Sequence, residues 1–390
     1  MRGRQDGQPR LFYSINVESR IRKNHPLRDV KRRVDGILSE MSPRFDEAYS
    51  SMGRPGVPPE QLLKALLLQA LYSIRSEAQL VERIDTDLLF RWFLDLDPAE
   101  EVFDATAFTH NRPRLDEYGL ITAFFDAIVH QAIDRGLCSD HFSVDGTIIE
   151  SYASAKSFRP KEPSAADDEG GSPPSATSDG NCFKPRNPDV DFHGQKRTNE
   201  THMSTTDPEA KLFRKGSGKP AQLAHLGHAL TENRHGLIMQ VDVTDANRRS
   251  EITAAVNMTD RHATTHDHRP ATIGSDRGYD SGEYYIALEE RGITPHGAMS
   301  SQEPKPETTA KHRRPNAYAR RRMKERQETD DYQLSQRCRK KVEECFGWIK
   351  TIAGLARSRH VGRWKLSQQL HIAAAAFNLV RLRKLSPVSD

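Results

Sequence analysis

The sequence predicts an α/β protein, with a mixed sheet, flanking helices and a small all-helical region ahead of the sheet. Apolar residues recur at helical spacing through residues 61–135. After this region the pattern changes, because residues 141–150 alternate and are rich in β-branched side chains, as in a strand. A helical period returns at residues 337–350 and again at residues 366–382. This order predicts helices first, and then a sheet covered by helices.

The chain has 390 residues, more than a single core usually holds, so two domains or one domain with large insertions are expected. We predict a basic N-terminal arm over residues 1–50, a helical, candidate DNA-binding domain over residues 51–135, and a sheet domain over residues 136–385. Within the last, residues 153–192 are rich in Ser, Pro and Asp and are expected to be disordered. Residues 300–331 are expected to form a basic insertion.

Positive charge is concentrated in parts of the chain. The formal net charge is only +4, but residues 311–350 carry 13 Lys and Arg against 6 Asp and Glu, and such local charge attracts polyanions. The helical region also carries arginines that suit a helix in a DNA groove, although a plain helical scaffold is the alternative. They are Arg75, Arg83, Arg91, Arg112 and Arg114.

Cysteine usage and hydropathy bear on the compartment. The four cysteines show no CxxC spacing, so reduced, structural thiols are expected. They are Cys138, Cys182, Cys338 and Cys345. No apolar run reaches membrane length and the N-terminus lacks the apolar core of a signal peptide, so we expect a cytoplasmic protein without a membrane partner.

Three carboxylates occupy positions that a sheet can bring together. Asp145 interrupts the strand of residues 141–150, Asp276 ends a second strand, and Glu343 lies on a basic helix. For Asp145, a turn is the alternative, since Gly146 follows it. Mg²⁺ prefers oxygen ligands, and two ions held by carboxylates can stabilise both the attacking and the leaving oxygen of a phosphoryl transfer. With the surrounding cations, this combination predicts chemistry on DNA or RNA.

The basic helix predicted over residues 337–350 has an apolar seam on one face and a row of charged residues beside it. The seam recurs at spacings of four, three and four: Val342, Phe346, Ile349 and Ala353. Arg339, Glu343 and Lys350 stand on one line beside that seam. Glu344 falls further round the helix and is the rival for the third acid, while a solvated, salt-bridged helix is the structural alternative.

These motifs, taken in order, resemble the DDE transposases of bacterial insertion sequences, and more narrowly the insertion sequence five family. The matching segments are Asp145-Gly146-Thr147, Gly227 to Leu237, Asp276-Arg277-Gly278-Tyr279-Asp280 and Arg339 to Lys350. Residues 53–115 are similar to that family's N-terminal helical domain, so the resemblance covers roughly residues 50–385.

The resemblance implies a ribonuclease H-like catalytic domain over residues 136–385, two Mg²⁺ (or Mn²⁺) ions, and cutting and joining of DNA at transposon ends. Asp145, Asp276 and Glu343 would be the catalytic, metal-binding acids. The implied DNA partners are the terminal inverted repeats and the target, bound by a homodimer. Residues expected to bind DNA are Arg339, Lys350, Arg277, Lys340 and Lys341.

The family's final motif is Tyr, two residues, Arg, three residues, Glu, six residues, Lys. Arg339, Glu343 and Lys350 fit its spacing, but Gln336 stands at the tyrosine position. Two functional alternatives remain: an inactive DNA-binding relative or regulator, and a metal-dependent nuclease that does not transfer strands.

Two further segments suggest ligand sites less strongly. His262, His266 and His268 with Asp267 suggest zinc, but the polar surroundings favour a helix end with solvated histidines. The glycine-rich run of residues 215–219 lacks the spacing of a phosphate-binding loop, so a flexible hairpin is expected there.

Overall fold

The computed structural model describes residues 16–386 except 51, 54–55, 162–196, 215–219 and 303. This part of the chain contains fourteen α-helices and eight strands. The helices ahead of the sheet are α1 (Val17–Arg20), α2 (Pro26–Glu40), α3 (Ser42–Ala48), α4 (Pro59–Leu71), α5 (Glu77–Thr86), α6 (Leu88–Leu94), α7 (Thr106–Glu117) and α8 (Leu120–Asp134). The strands are β1 (His141–Glu150), β2 (Phe158–Pro160), β3 (His202–Ser204), β4 (Lys211–Phe213), β5 (Gln222–Glu232), β6 (Ile238–Asp245), β7 (Thr272–Ser275) and β8 (Thr294–Gly297). The later helices are α9 (Arg248–His266), α10 (Gly282–Glu289), α11 (Arg314–Arg326), α12 (Asp330–Cys338), α13 (Lys341–Thr351) and α14 (Arg363–Leu385).

The central sheet has the strand order β6-β5-β1-β7-β8, and β4 pairs with the start of β5. β5 runs antiparallel to both β1 and β6, whereas β7 runs parallel to both β1 and β8. This combination of order and direction is the ribonuclease H-like arrangement, with helices flanking a mixed sheet, and the predicted fold class is confirmed.

The segment predicted to be a basic arm contains three helices, α1, α2 and α3. α2 begins at Pro26, a favoured residue for the first turn of a helix, and its apolar face is buried through Leu27, Val30 and Val34. The prediction was wrong for residues 17–48 because it weighed the exposed basic residues and missed the apolar period between them. Residues 1–15 lie outside the described residues.

Part of the segment predicted to be disordered is ordered. Residues 158–160 form β2, which pairs antiparallel with β3, and Phe158 is buried in a small apolar cluster with Leu223. These apolar contacts explain the order. The rest of that segment, residues 162–192, lies outside the described residues, as does the glycine-rich run of residues 215–219.

The basic insertion at residues 300–331 contains α11, whose arginines are largely neutralised within the protein. Arg320 binds both carboxylate oxygens of Asp280, at 3.0 and 2.8 Å. Arg322 and Arg326 both pair with Glu289 on α10. These arginines therefore fasten α11 to the sheet domain.

One hydrophobic core runs through the helical region and the sheet, with α14 between them. The Gln368 amide of α14 donates to the carbonyl of Arg112 on α7 at 3.0 Å. Ten residues later, the buried Asn378 amide bonds both the N–H and the carbonyl of Ile238 on β6, at 2.9 and 2.7 Å. The boundary expected near residue 136 is therefore a change of secondary structure and not a gap in the packing.

Two predictions of absence concern membranes and disulfides. Among the described helices, none is long and apolar enough to cross a bilayer. Cys138, Cys338 and Cys345 are free thiols, as predicted, and Cys182 lies outside the described residues.

Candidate active site

Asp145 lies in the middle of β1, on the central strand of the sheet, and not in a turn. Its Oδ1 accepts a hydrogen bond from the N–H of Gly146 at 2.8 Å. Burial and the nearby charge of Asp276 raise the pKa of Asp145 to about 6, and Glu343 adds to the increase. Gly146 and the guanidinium of Arg339 oppose it. The structure thus brings two further acids and one cation of the sequence prediction within electrostatic reach of Asp145.

Asp276 follows β7 directly, and the strand register explains its proximity to Asp145. Ser143 on β1 lies opposite Gly274 on the parallel strand β7, so extending this register by two residues sets Asp276 level with Asp145. The Oδ1 of Asp276 accepts from the N–H of Gly278 at 2.8 Å, which fixes the carboxylate. A Cβ at position 278 would stand 2.9 Å from that oxygen, so a larger residue there would displace the carboxylate of Asp276.

Glu343 and Glu344 are adjacent in the first turn of α13 but have different surroundings. An oxygen of Glu344 pairs with Arg381 of α14 at 3.0 Å. Glu343 is exposed, and its charge acts on Asp145. The packing therefore distinguishes two glutamates that are neighbours in sequence.

The basic helix predicted over residues 337–350 is interrupted at Arg339 and Lys340, between α12 and α13. The N–H groups of Val342 and Glu343 bond carbonyls three residues earlier, at 3.0 and 3.2 Å, so the junction is tighter than an α-helix. The predicted seam after the junction is confirmed, since its residues are buried: Val342, Phe346, Ile349 and Ala353.

Lys341, predicted to bind DNA, is used inside the protein. Its ammonium donates to the carbonyl of Asn233 at 2.8 Å and to the carbonyl of Arg234. These carbonyls belong to the turn between β5 and β6, so Lys341 fastens α13 to that turn. No local pattern indicates this contact, because the partners lie more than a hundred residues apart.

The other predicted DNA-binding residues differ in exposure. Lys340 and Arg277 are exposed, whereas Arg339 and Lys350 are half-buried. The Nε of Arg339 is buried and has no hydrogen-bond partner among the described residues. The guanidinium of Arg339 also acts on the charge of Asp145, so this cation lies near the acids.

Gln336, at the position of the family's tyrosine, connects α12 to the ends of two strands. Its amide donates to the carbonyl of Ser275 at 3.4 Å and to that of His296. Ser275 immediately precedes Asp276, so this side chain supports the backbone that carries the second acid.

A fourth carboxylate, which the sequence analysis missed, lies beside the first two. A Cβ at Gly146 would stand 3.4 Å from one oxygen of Glu251, and a Cβ at Gly278 would stand 3.5 Å from the other. Glu251 thus faces the residues next to Asp145 and Asp276, from the first turn of α9. The only signal in the sequence was its place at the start of a helix after β6, which does not distinguish it from other helical acids.

His228 closes the site on the β5 side. It lies opposite Gly146 in the antiparallel register, and its Nε2 bonds the hydroxyl of Thr244 at 2.7 Å. Burial lowers the pKa of His228 to about 4, so the ring is neutral. Its buried Nδ1, 3.2 Å from where a Cβ of residue 146 would lie, has no hydrogen-bond partner among the described residues.

The arginines of the helical region do not act alike. Arg91 and Arg112 are buried and pair with Asp85 and Glu77, respectively, so they stabilise the helices. Arg75 is exposed and lies on the wall of an open groove.

This groove, the basic groove, has a volume of about 1190 Å³. Its lining includes Arg75 of the helical region, the exposed Tyr152 after β1, and Arg357 and Arg359 between α13 and α14. Thr351, which directly follows Lys350, also lines it. α13 therefore extends from the acids at its start to the basic groove at its end.

The fold and the acid cluster define a ribonuclease H-like protein. A family model described as "Transposase DDE domain" matches residues 200–379, and one described as "Transposase domain (DUF772)" matches residues 15–114. Between them the two models cover most of the chain, so it carries one segment that matches a transposase DDE domain and another that matches a second transposase domain. Asp276 and Glu343 lie inside the DDE match, and Asp145 lies ahead of it.

No curated protein matches the chain at a significant level. A solved structure of the Mos1 transposase, titled as a paired-end complex with the left transposon end, aligns at 11% identity over 87% of this chain and 90% of that chain. The TM-score is 0.21, and a superposition this loose supports no conclusion.

Proposed function

We propose that this chain is an insertion sequence five transposase that cuts DNA at the ends of its element and joins the freed end to target DNA. The observation that carries the proposal is the convergence of acids from three elements, Asp145 on β1, Asp276 after β7 and Glu343 on α13. Residues 51–135 would contribute to DNA binding and residues 136–385 would perform catalysis.

The residues of this site fit Mg²⁺ or Mn²⁺. Carboxylate oxygens are the ligands that these ions prefer. Burial, together with the charges of Asp276 and Glu343, already raises the pKa of Asp145, so a cation would offset an excess of negative charge. We assign Asp145, Asp276 and Glu343 as the ligands of two ions. Such ions, when bound, activate the attacking oxygen and stabilise the leaving oxygen of a phosphodiester.

The chain's own residues would position the DNA. Arg339, whose guanidinium acts on the charge of Asp145, suits a phosphate of the cleaved strand. The exposed Lys340 and Arg277 suit neighbouring phosphates, and Lys350 continues the path toward the basic groove. We assign Lys341 to support of the fold instead, because its ammonium already bonds two carbonyls.

Glu251, on α9 beside Gly146 and Gly278, would add negative charge to the site and so strengthen its attraction for the metal ions. The reaction would consist of hydrolysis at the element's end, which leaves a 3′-hydroxyl, and attack of that hydroxyl on a target phosphodiester. Assembly as a homodimer on terminal inverted repeats, in the cytoplasm and associated with the nucleoid, completes the proposal.

A Mg²⁺ titration with end-containing DNA tests the site. The DNA flanking the chain's own coding sequence supplies the ends. Glu343→Gln should lower the cleavage rate by at least about 100-fold, because it removes a ligand of the catalytic metal. Glu344→Gln is the matched control and should change the rate by less than about threefold, because it removes only a surface ion pair.

Glu251→Gln, in the same titration, should raise the Mg²⁺ concentration for half-maximal cleavage more than it lowers the maximal rate. Loss of cleavage in Glu344→Gln but not in Glu343→Gln would overturn the assignment of the third acid. Circular dichroism of each variant separates a loss of catalysis from a loss of folding.

A further inference from the structure

We infer that Cys138, His262 and His268 form a second metal site, for a transition metal of the Zn²⁺ type, that is separate from the carboxylate site. Cys138 lies between α8 and β1, His262 near the end of α9, and His268 just after that helix. His262 is eleven residues beyond Glu251 on α9, which puts roughly 16 Å of helix between the two sites.

The distances among the three side chains suit one ion. His262 Nε2 lies 3.1 Å from His268 Nδ1, and Cys138 Sγ lies 3.9 Å from that same nitrogen. One potential ligand atom of each residue lies within 4.8 Å of a ligand atom of each of the other two. Within the described ranges, no other group of three or more His, Cys, Asp or Glu residues meets this distance limit. In a tetrahedral zinc site, with bonds of about 2.0–2.3 Å, ligand atoms lie about 3.3–3.7 Å apart.

The surroundings orient the ligands. His268 Nε2 lies 3.3 Å from a carboxylate oxygen of Asp140, so an N–H there donates to the carboxylate and leaves Nδ1 to bind a metal. Asp267, with a φ of 49°, turns the chain at the end of α9 and brings His268 back to His262. The ring of Phe142 packs against both histidines and restricts their rotation.

The histidines are not the solvated cluster that the sequence favoured. His262 is fully buried and His266 nearly so, because α9 continues to His266 and packs against the sheet. Asp267 is not among the ligands. Cys138 was missed because it lies 124 positions before His262, outside any local spacing pattern.

The protonation state of His262 agrees with metal binding. Burial, with His266 and His268 nearby, lowers the pKa of His262 to about 3, so its ring is neutral and able to coordinate. Burial raises the pKa of the Cys138 thiol to about 12, so coordination by its sulfur must displace the thiol proton. Such an ion would fasten the start of β1, which carries Asp145, to the end of α9, which carries Glu251.

Cobalt spectroscopy on the full-length protein tests this site. After removal of metals and saturation of the carboxylate site with Mg²⁺, Co²⁺ should bind at one ion per chain and give a sulfur-to-cobalt charge-transfer band, which carboxylates cannot produce. Zn²⁺ should abolish the band by displacement and raise the melting temperature.

Cys138→Ser should lose the band, and Cys338→Ser, which changes a half-exposed thiol on α12, should keep it. His268→Asn provides a second variant should Cys138→Ser fail to fold, and it should weaken Co²⁺ binding at least tenfold. Absence of the band in the folded wild type, or its persistence in Cys138→Ser, would overturn the inference.

Discussion

Asp145 carries a charge that the fold disfavours. The pKa of its carboxyl is about 6 in the folded chain, against 3.8 for the unperturbed group. Because the pKa is higher in the folded state than in the unfolded state, the folded state binds more protons between pH 3.8 and about 6. The free energy of unfolding therefore falls as the pH rises through this range. Without a divalent cation, Asp145 therefore destabilises the protein at neutral pH.

We predict that Asp145→Asn stabilises the metal-free protein at pH 7.5 by about 2–3 kcal/mol, since the substitution removes this unfavourable charge. Urea unfolding in the presence of a chelator measures the free energy of unfolding. The difference from wild type should shrink toward zero as the pH falls to about 4. An Asn variant that is less stable than wild type at neutral pH would contradict the account.

At the scale of single residues, a candidate catalytic acid could be predicted from the sequence where an acid is rare in that kind of element or stands at a recognisable spacing. Asp145 in a strand and the spacing of Glu343 from Arg339 and Lys350 are of this kind. Glu251 and Cys138 gave no such signal, because their neighbours in space come from distant parts of the chain. Lys341 was assigned to DNA from its charge, whereas its ammonium bonds the turn after β5.

At the scale of elements, the junction between α12 and α13 assigns different roles to two adjacent lysines. Lys340 is exposed, and Lys341 bonds the carbonyls of Asn233 and Arg234. Composition alone treats the two residues as equivalent, and only the packing of α13 against the β5–β6 turn separates them.

We predict that Lys341→Met lowers the free energy of unfolding by about 1–2 kcal/mol, because the carbonyls of Asn233 and Arg234 lose their donor. Lys340→Met, its matched control, should change stability by less than about 0.5 kcal/mol. It should instead weaken DNA binding and reduce the salt dependence of binding by about one counterion. Filter binding at several salt concentrations measures the DNA affinity and its salt dependence, and urea unfolding measures the stability. A stable Lys341→Met with impaired DNA binding would reverse the assignment.

Elements were predicted well where the apolar period was regular and poorly where charge dominated the composition. The strand over residues 141–150 and the seam of α13 followed from periodicity. α2 was taken for a basic arm because its arginines and lysines surround a narrow apolar face. In the same way, the arginines of α11 suggested an open basic insertion, although three of them pair with Asp280 and Glu289.

At the scale of the whole molecule, the helical region and the sheet share one core through α14. The order of helical and strand segments could be predicted from the sequence, but this packing could not. It depends on the bonds from Gln368 to Arg112 and from Asn378 to Ile238, which join residues more than a hundred positions apart.

We predict that residues 136–390 alone do not fold cooperatively, because the face of α14 that packs on α4 and α8 would be exposed to water. Urea unfolding followed by circular dichroism should show no cooperative transition. Coexpression with residues 1–135 should restore one, as a control for solubility. A single transition of the fragment alone, at the midpoint of the full chain, would contradict this prediction.

The central claim is that the gathered acids cut and join DNA, and one assay tests it most directly. Wild type and Asp145→Asn are compared on a plasmid bearing the element's ends and on a labelled, precut end, with Mg²⁺. We predict Mg²⁺-dependent cleavage and a joined product for wild type, and neither for Asp145→Asn, although that variant is the more stable protein in the absence of metal. Cleavage without a joined product would contradict strand transfer, and an Asp145→Asn variant as active as wild type would contradict the site itself.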